Sequence, residues 1–64
     1  MNIQKLKAMI AKKQLRIEEL ATAAGVGSDL IYKVLAGKRK PTLATIGKLA
    51  AALDVEPEEL LKED

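Results

Sequence analysis

The chain predicts an all-α fold, a compact arrangement of five short helices, and three observations support it. Apolar residues recur at intervals of three and four along most of the 64 residues, the spacing of one helix face. Three of the four glycines and both prolines fall between these stripes, at Gly25, Gly27, Gly37, Pro41 and Pro57. The composition is rich in Ala, Leu, Lys and Glu, all good helix formers.

A first helix is expected over about residues 2–13, with Asn2 as its N-cap. Ile3, Leu6, Met9 and Ile10 make its apolar stripe. Lys5, Lys7, Lys12 and Lys13 lie outside it, as a solvated face or a phosphate-binding one. Gln14 and Leu15 form the connection. The second helix is expected over residues 17–24, with Leu20, Ala21 and Ala24 as its inner edge. Small Ala21 would admit a neighbouring helix axis. Glu18 and Glu19 suit the positive end of the helix dipole. Gly25-Val26-Gly27 is too short and too Gly-rich to continue either helix, and reads as a chain reversal with one apolar anchor, Val26.

The third helix is expected over about residues 28–36. Ile31, Val34 and Leu35 face inward, and Ser28, Asp29, Tyr32 and Lys33 face outward. Its N-cap is either Gly27 or Ser28, of which serine is the better capping residue. Gly37 stops it. Lys38-Arg39-Lys40-Pro41 then leads to a fourth helix capped by Thr42, with Leu43, Ile46, Leu49, Ala50 and Leu53 as its expected buried face. Gly47 inside that helix costs about 1 kcal/mol relative to Ala, which argues for a backbone packed close beside it. Asp54 accepts left-handed geometry better than most residues. Pro57 suits the first position of a fifth helix after Glu56, and Leu60 with Leu61 would close the core.

The chain has room for one domain, residues 1–64, and no second core. A domain of this size buries only about 60% of its unfolded surface. Without Cys or His it has no disulfide, no thiolate metal site and no histidine base or ligand. Glu56, Glu58 and Glu59 read as ordinary acids at a helix start rather than as a cation site. No nucleophile–base pair or cofactor motif is visible, so neither an enzyme nor a small-molecule substrate is expected. No apolar run approaches the ~20 residues of a membrane span, and no signal-peptide pattern is present. A membrane-independent protein of the cytoplasm is therefore expected.

The net charge of +2 hides a polarity. Residues 1–40 carry nine Lys or Arg against three acids, a net of +6, and residues 41–64 carry two Lys against six acids, a net of −4. Such a gradient would orient the molecule on a polyanion, although surface composition alone can produce it. Together with a helix that turns polar side chains outward beside a Lys-Arg-Lys loop, it suggests readout of double-stranded DNA.

In the stretch IEELATAAGVGSDLIYKVLAGKRKP, residues Leu20, Ala21, Gly25, Val26, Ile31, Val34, Gly37, Lys38 and Pro41 stand in register, with Leu15 just before it. This pattern resembles the helix-turn-helix domain of the phage repressor (lambda repressor and Cro, XRE-type) family. The likeness continues through Leu43, Ile46, Leu49, Ala50, Leu53, Val55, Leu60 and Leu61. It implies a five-helix lambda-repressor-like fold with a helix-turn-helix at about residues 17–36. It also implies a repressor or transcription-regulator type of function, with the third helix in the major groove. Base contacts would fall to Ser28, Asp29, Tyr32 and Lys33, and phosphate contacts to Arg16, Lys38, Arg39, Lys40 and Thr42. Lys33 could donate to guanine O6 and N7, and Asp29 could accept from a cytosine amino group. Tyr32 offers a ring to a thymine methyl and a hydroxyl to a phosphate. Against this, Ser28 and Asp29 can serve only as helix-start residues, and Lys33 can simply be solvated.

Several positions depart from the family pattern. Gln14 replaces a usual Gly, Arg16 a usual cap, Ile17 a usual polar residue, Ala36 a polar phosphate contact and Asp54 a helix-ending Gly. Where many members bury an Arg–Glu pair, this chain has Ile10 and Leu35. Replacing such a pair by packed hydrophobes is often neutral or stabilising by about 1–4 kcal/mol. The joint exchange is as compatible with an engineered sequence as with a natural one. Ile17, Ala36 and the acid on the readout face leave room for an alternative, a protein-interaction or dimerisation module on the same fold. Family members often dimerise through the last helix. Little chain follows Leu61 here, so a monomer, or a weak homodimer on DNA, is expected.

Overall fold

A computed structural model describes residues 1–62. Five helices follow one another: α1 (Ile3–Lys13), α2 (Ile17–Ala24), α3 (Ser28–Leu35), α4 (Leu43–Leu53) and α5 (Pro57–Leu61). The all-α expectation holds, with no strand among the described residues.

Side chains set most of the helix starts. Asn2 Oδ1 accepts from the Lys5 N–H at 3.0 Å, and Thr42 Oγ1 accepts from the Thr45 N–H at 3.2 Å. The guanidinium of Arg16 has no acceptor and cannot cap α2 in this way. Glu19 makes the other half of a capping box instead, its Oε1 accepting from the Arg16 backbone N–H at 2.9 Å. Pro57 opens α5, where its missing N–H removes a donor that would lack a helical partner.

The helix ends follow one rule. α1, α2 and α4 are followed directly, and α3 after its C-cap Ala36, by a residue with φ between 56° and 75°: Gln14, Gly25, Asp54 and Gly37. At each, paired bonds run back into the last turn, as in Val26 N–H to the Ala21 carbonyl and Lys38 N–H to the Lys33 carbonyl. This is the Schellman arrangement, which satisfies carbonyls that the helix leaves open. Asp54 holds the left-handed geometry as expected of it, and Gln14 holds it too without being glycine. The residue after the turn is apolar and rests on the core in three cases, Leu15, Val26 and Val55. In the fourth it is Lys38, so the chain leaves the core there and runs outward.

Leu6, Leu20, Ile31, Val34, Leu49, Leu53 and Leu60 fill the centre, all under 2% exposed. Each such side chain contributes about 1.5–3 kcal/mol by leaving water. Ile10 is buried and Leu35 half-buried against the same core, so the aliphatic exchange is accommodated by packing. α2 lies against both α3 and α4, which fixes the α2–α3 pair on the rest of the molecule.

Three expectations need correction, and one open choice is decided. Leu43 is 77% exposed rather than buried, because the apolar stripe of α4 overruns the packed helices by one turn. Leu61 is 44% exposed, and Leu60 alone fills the core position that α5 offers. No atom approaches within 4 Å of where a Gly47 Cβ would stand, so no backbone packs close there. The N-cap of α3 is Gly27, with φ −76° and ψ 144°, while Ala36 is its C-cap.

Candidate nucleic-acid interface

Because Gly27 takes the cap position, Ser28 already lies in the first helical turn of α3, half-buried and without a capping hydrogen bond. Asp29, Tyr32 and Lys33 are exposed, one turn apart, while Ile31 and Val34 point into the core. The inward residues fix the rotation of the helix, and that rotation turns 29, 32 and 33 outward together. A major groove of about 12 Å admits a helix presented this way, with side chains near its N-terminal half against the base edges.

The basic loop is anchored to that helix. Lys38 N–H donates to the Lys33 carbonyl at 2.9 Å, so the first loop cation is held to the backbone of the last outward residue of α3. Gly37, with φ 75°, makes the turn between them. Arg39, Lys40 and Pro41 border a shallow recess with Met1 and Ile3, which sets the loop over the start of α1. Lys38, Arg39 and Lys40 are all exposed. Among the described residues the one salt bridge is Lys5 Nζ to Glu59 Oε2 at 3.2 Å, on α1 and α5. The cations of this face therefore stand without carboxylate partners, as backbone contacts to a polyanion require.

Thr42 and Arg16 mark two further edges. The Thr42 hydroxyl caps α4 and lies 3.1 Å from Thr45 Oγ1. Arg16 is exposed at the start of α2, with its guanidinium unused by the cap.

One member of this face, Glu18, was not among the expected contact residues. Tyr32 Oη donates to Glu18 Oε2 at 3.0 Å, joining α3 to α2 across the turn. The bond raises the pKa of Tyr32 above the ordinary phenol value, chiefly because the neutral hydroxyl is the donor. Lesser contributions come from burial and from the negative charge of Glu18. Glu18 and Tyr32 are 14 residues apart and share no local motif, so only the packing of α2 on α3 brings them together. Helical rotation of 17–24 alone places Glu18 outward, and that was the one available hint.

Comparison with known proteins bears on this geometry. The model of the HTH_3 helix-turn-helix family matches residues 6–60, nearly the whole chain. The chain belongs to the helix-turn-helix family. It is 43% identical over 53 residues to the HTH-type transcriptional regulator PrtR of Pseudomonas aeruginosa, a match covering 83% of this chain and 20% of PrtR. It is 41% identical over 59 residues to the uncharacterized HTH-type transcriptional regulator RghRB of Bacillus subtilis, covering 91% of this chain and 42% of RghRB. The chain thus spans less than half the length of either regulator. Among solved structures it is similar to the restriction-modification controller protein C.AhdI of Aeromonas hydrophila. That match has a TM-score of 0.87 and 40% identity, and covers 91% of this chain and 88% of C.AhdI. Identities at this level to bacterial regulators lend no support to the engineered origin weighed from the Ile10 and Leu35 exchange.

Proposed function

We propose that this helix-turn-helix domain binds double-stranded DNA sequence-specifically and acts as a transcription regulator by occupying its site, without catalysis or cofactor. The observation that carries this reading is the outward face of α3, where Asp29, Tyr32 and Lys33 stand exposed beside Lys38, Arg39 and Lys40, cations with no carboxylate partner among the described residues. Lys33 and Asp29 supply one donor and one acceptor to base edges, with Ser28 at the rim. Lys38, Arg39, Lys40, Arg16 and the start of α4 at Thr42 hold phosphates and set the register. The regulator names of PrtR and RghRB support the same direction. The setting is the cytoplasm of a bacterial cell, for a regulator of bacterial or phage type, and the domain is a single unit acting as a monomer or as a weak homodimer on DNA.

The test is selection from a randomised duplex library at near-physiological salt. One short enriched block supports a monomer, and two inverted blocks support a dimer on DNA. Absence of enrichment overturns the sequence-specific reading. A second reading, a protein-interaction module, draws on the 77% exposure of Leu43. It gains ground only if no duplex is bound at any salt concentration.

A further inference from the structure

We propose that Glu18 fixes the hydrogen-bonding sense of Tyr32 and so makes Tyr32 a reader of base amino groups. The inference rests on the DNA-binding function proposed above and deepens it. A tyrosine hydroxyl carries one proton and, on the same oxygen, lone pairs that accept. Here the proton points at Glu18 Oε2, 3.0 Å away on α2. A carboxylate can only accept, so while this contact is made the hydroxyl proton is directed at Glu18. What Tyr32 has left for a partner in front of α3 is acceptor capacity alone.

That sorts the possible partners. A phosphate has no proton to give, so the tethered hydroxyl does not serve one, contrary to its first assignment. In the major groove, guanine presents only acceptors, and thymine an acceptor and a methyl group. Adenine N6 and cytosine N4 present donors. Tyr32 therefore favours adenine or cytosine on the strand it meets. Asp29, one turn earlier on the same face, is acceptor-only as well, and Lys33 provides the donor. Glu18 itself touches no base. It is a positioning residue whose negative charge also opposes the DNA backbone, an opposition that lowers affinity while the tether directs preference.

The experiment is library selection with the native chain and with Tyr32→Phe, Glu18→Gln and Glu18→Ala. Positions 18 and 32 are both exposed, so the fold is retained. The native chain is expected to prefer adenine or cytosine at one pair, and Tyr32→Phe to lose that preference by about 3- to 10-fold. Glu18→Gln keeps a side-chain carbonyl acceptor, so the preference survives while binding to every duplex tightens. Glu18→Ala releases the proton, and the preference at that pair broadens to guanine and thymine. A separate readout checks the tether in the free protein. The alkaline titration of the single tyrosine, followed by ultraviolet absorbance, should fall towards the ordinary value in Glu18→Ala. A motif unchanged in Glu18→Ala, or a tyrosine titration unmoved by it, overturns this inference alone. No enrichment by the native chain removes the DNA-reading function and this inference with it.

Discussion

The Asn2 N–H donates to the Leu60 carbonyl at 2.7 Å, joining the start of α1 to the end of α5. The same residue donates from Nδ2 to the Lys62 carbonyl at 2.9 Å and accepts at Oδ1 from Lys5. One side chain thus caps a helix and ties the last helix to the first. Asn2→Ala removes the cap and the Lys62 bond but leaves the Leu60 bond, which is backbone to backbone. Loss of such a cap costs about 0.5–2 kcal/mol. Urea denaturation of the variant should show a lower midpoint with an unchanged slope, and duplex selection should return the native motif, since the Asn2 bonds run to Lys5, Leu60 and Lys62 rather than to α3.

Gly47→Ala should stabilise the protein. The position is inside α4, its φ lies in the ordinary range, and the new methyl meets nothing within 4 Å. The gain is about 0.4–1 kcal/mol, from helix propensity and a less free unfolded chain. Thermal unfolding followed by circular dichroism reads it directly. A lower midpoint would mean that something packs on Gly47 after all.

The fate of Leu43 separates pattern from packing. Leu43→Ser should leave stability within about 0.5 kcal/mol of the native chain, whereas Leu49→Ala should cost about 2–5 kcal/mol. Both leucines belong to one helical stripe in the sequence, yet Leu43 is 77% exposed and Leu49 fully buried. Periodicity reports the direction in which a residue faces, not how far the neighbouring helices extend along it. For that reason helix positions, caps and the inner residues Leu6, Leu20, Ile31 and Leu53 were legible, while the limits of the core at Leu43 and Leu61 were not. The same holds at the candidate interface. The outward set Asp29, Tyr32 and Lys33 follows from the rotation of one helix, but the Tyr32–Glu18 bond depends on how two helices dock. The Gly27 cap was legible only as one of two choices, because a serine that caps well in isolation also fits the first turn.

Glu59 should add a small acid-sensitive contribution to stability. The Lys5 ammonium, bonded to its carboxylate, holds its pKa below the ordinary range, with Lys62 a further positive neighbour. A carboxyl group whose folded pKa is depressed stabilises the fold above its unfolded pKa, and that contribution is lost as pH falls through the folded value. Lys5→Met should therefore differ from the native chain most near neutral pH, with the two stability curves converging in acid. Because the pair is solvent-exposed, added salt should narrow the difference. A gap that persists unchanged into acid would assign the effect of Lys5→Met to its packing on α1 instead.

Lys33 and Arg39 are expected to fail differently when removed. Lys33 stands on the outward face of α3 and Arg39 in the loop beyond Gly37; under the proposed function the first meets base edges and the second the DNA backbone. Lys33→Ala should cost about 1–3 kcal/mol on the selected site and relax preference at one base pair. Arg39→Ala should weaken selected and random duplexes alike, and so should Lys40→Ala. Each releases about one fewer counterion, so a plot of log affinity against log salt flattens by about one unit. Titrating each variant with both duplexes at several salt concentrations separates the two roles. Equal losses on the two duplexes for Lys33→Ala would move Lys33 from base reading to phosphate binding, and would leave Asp29 and Tyr32 as the residues that choose the sequence.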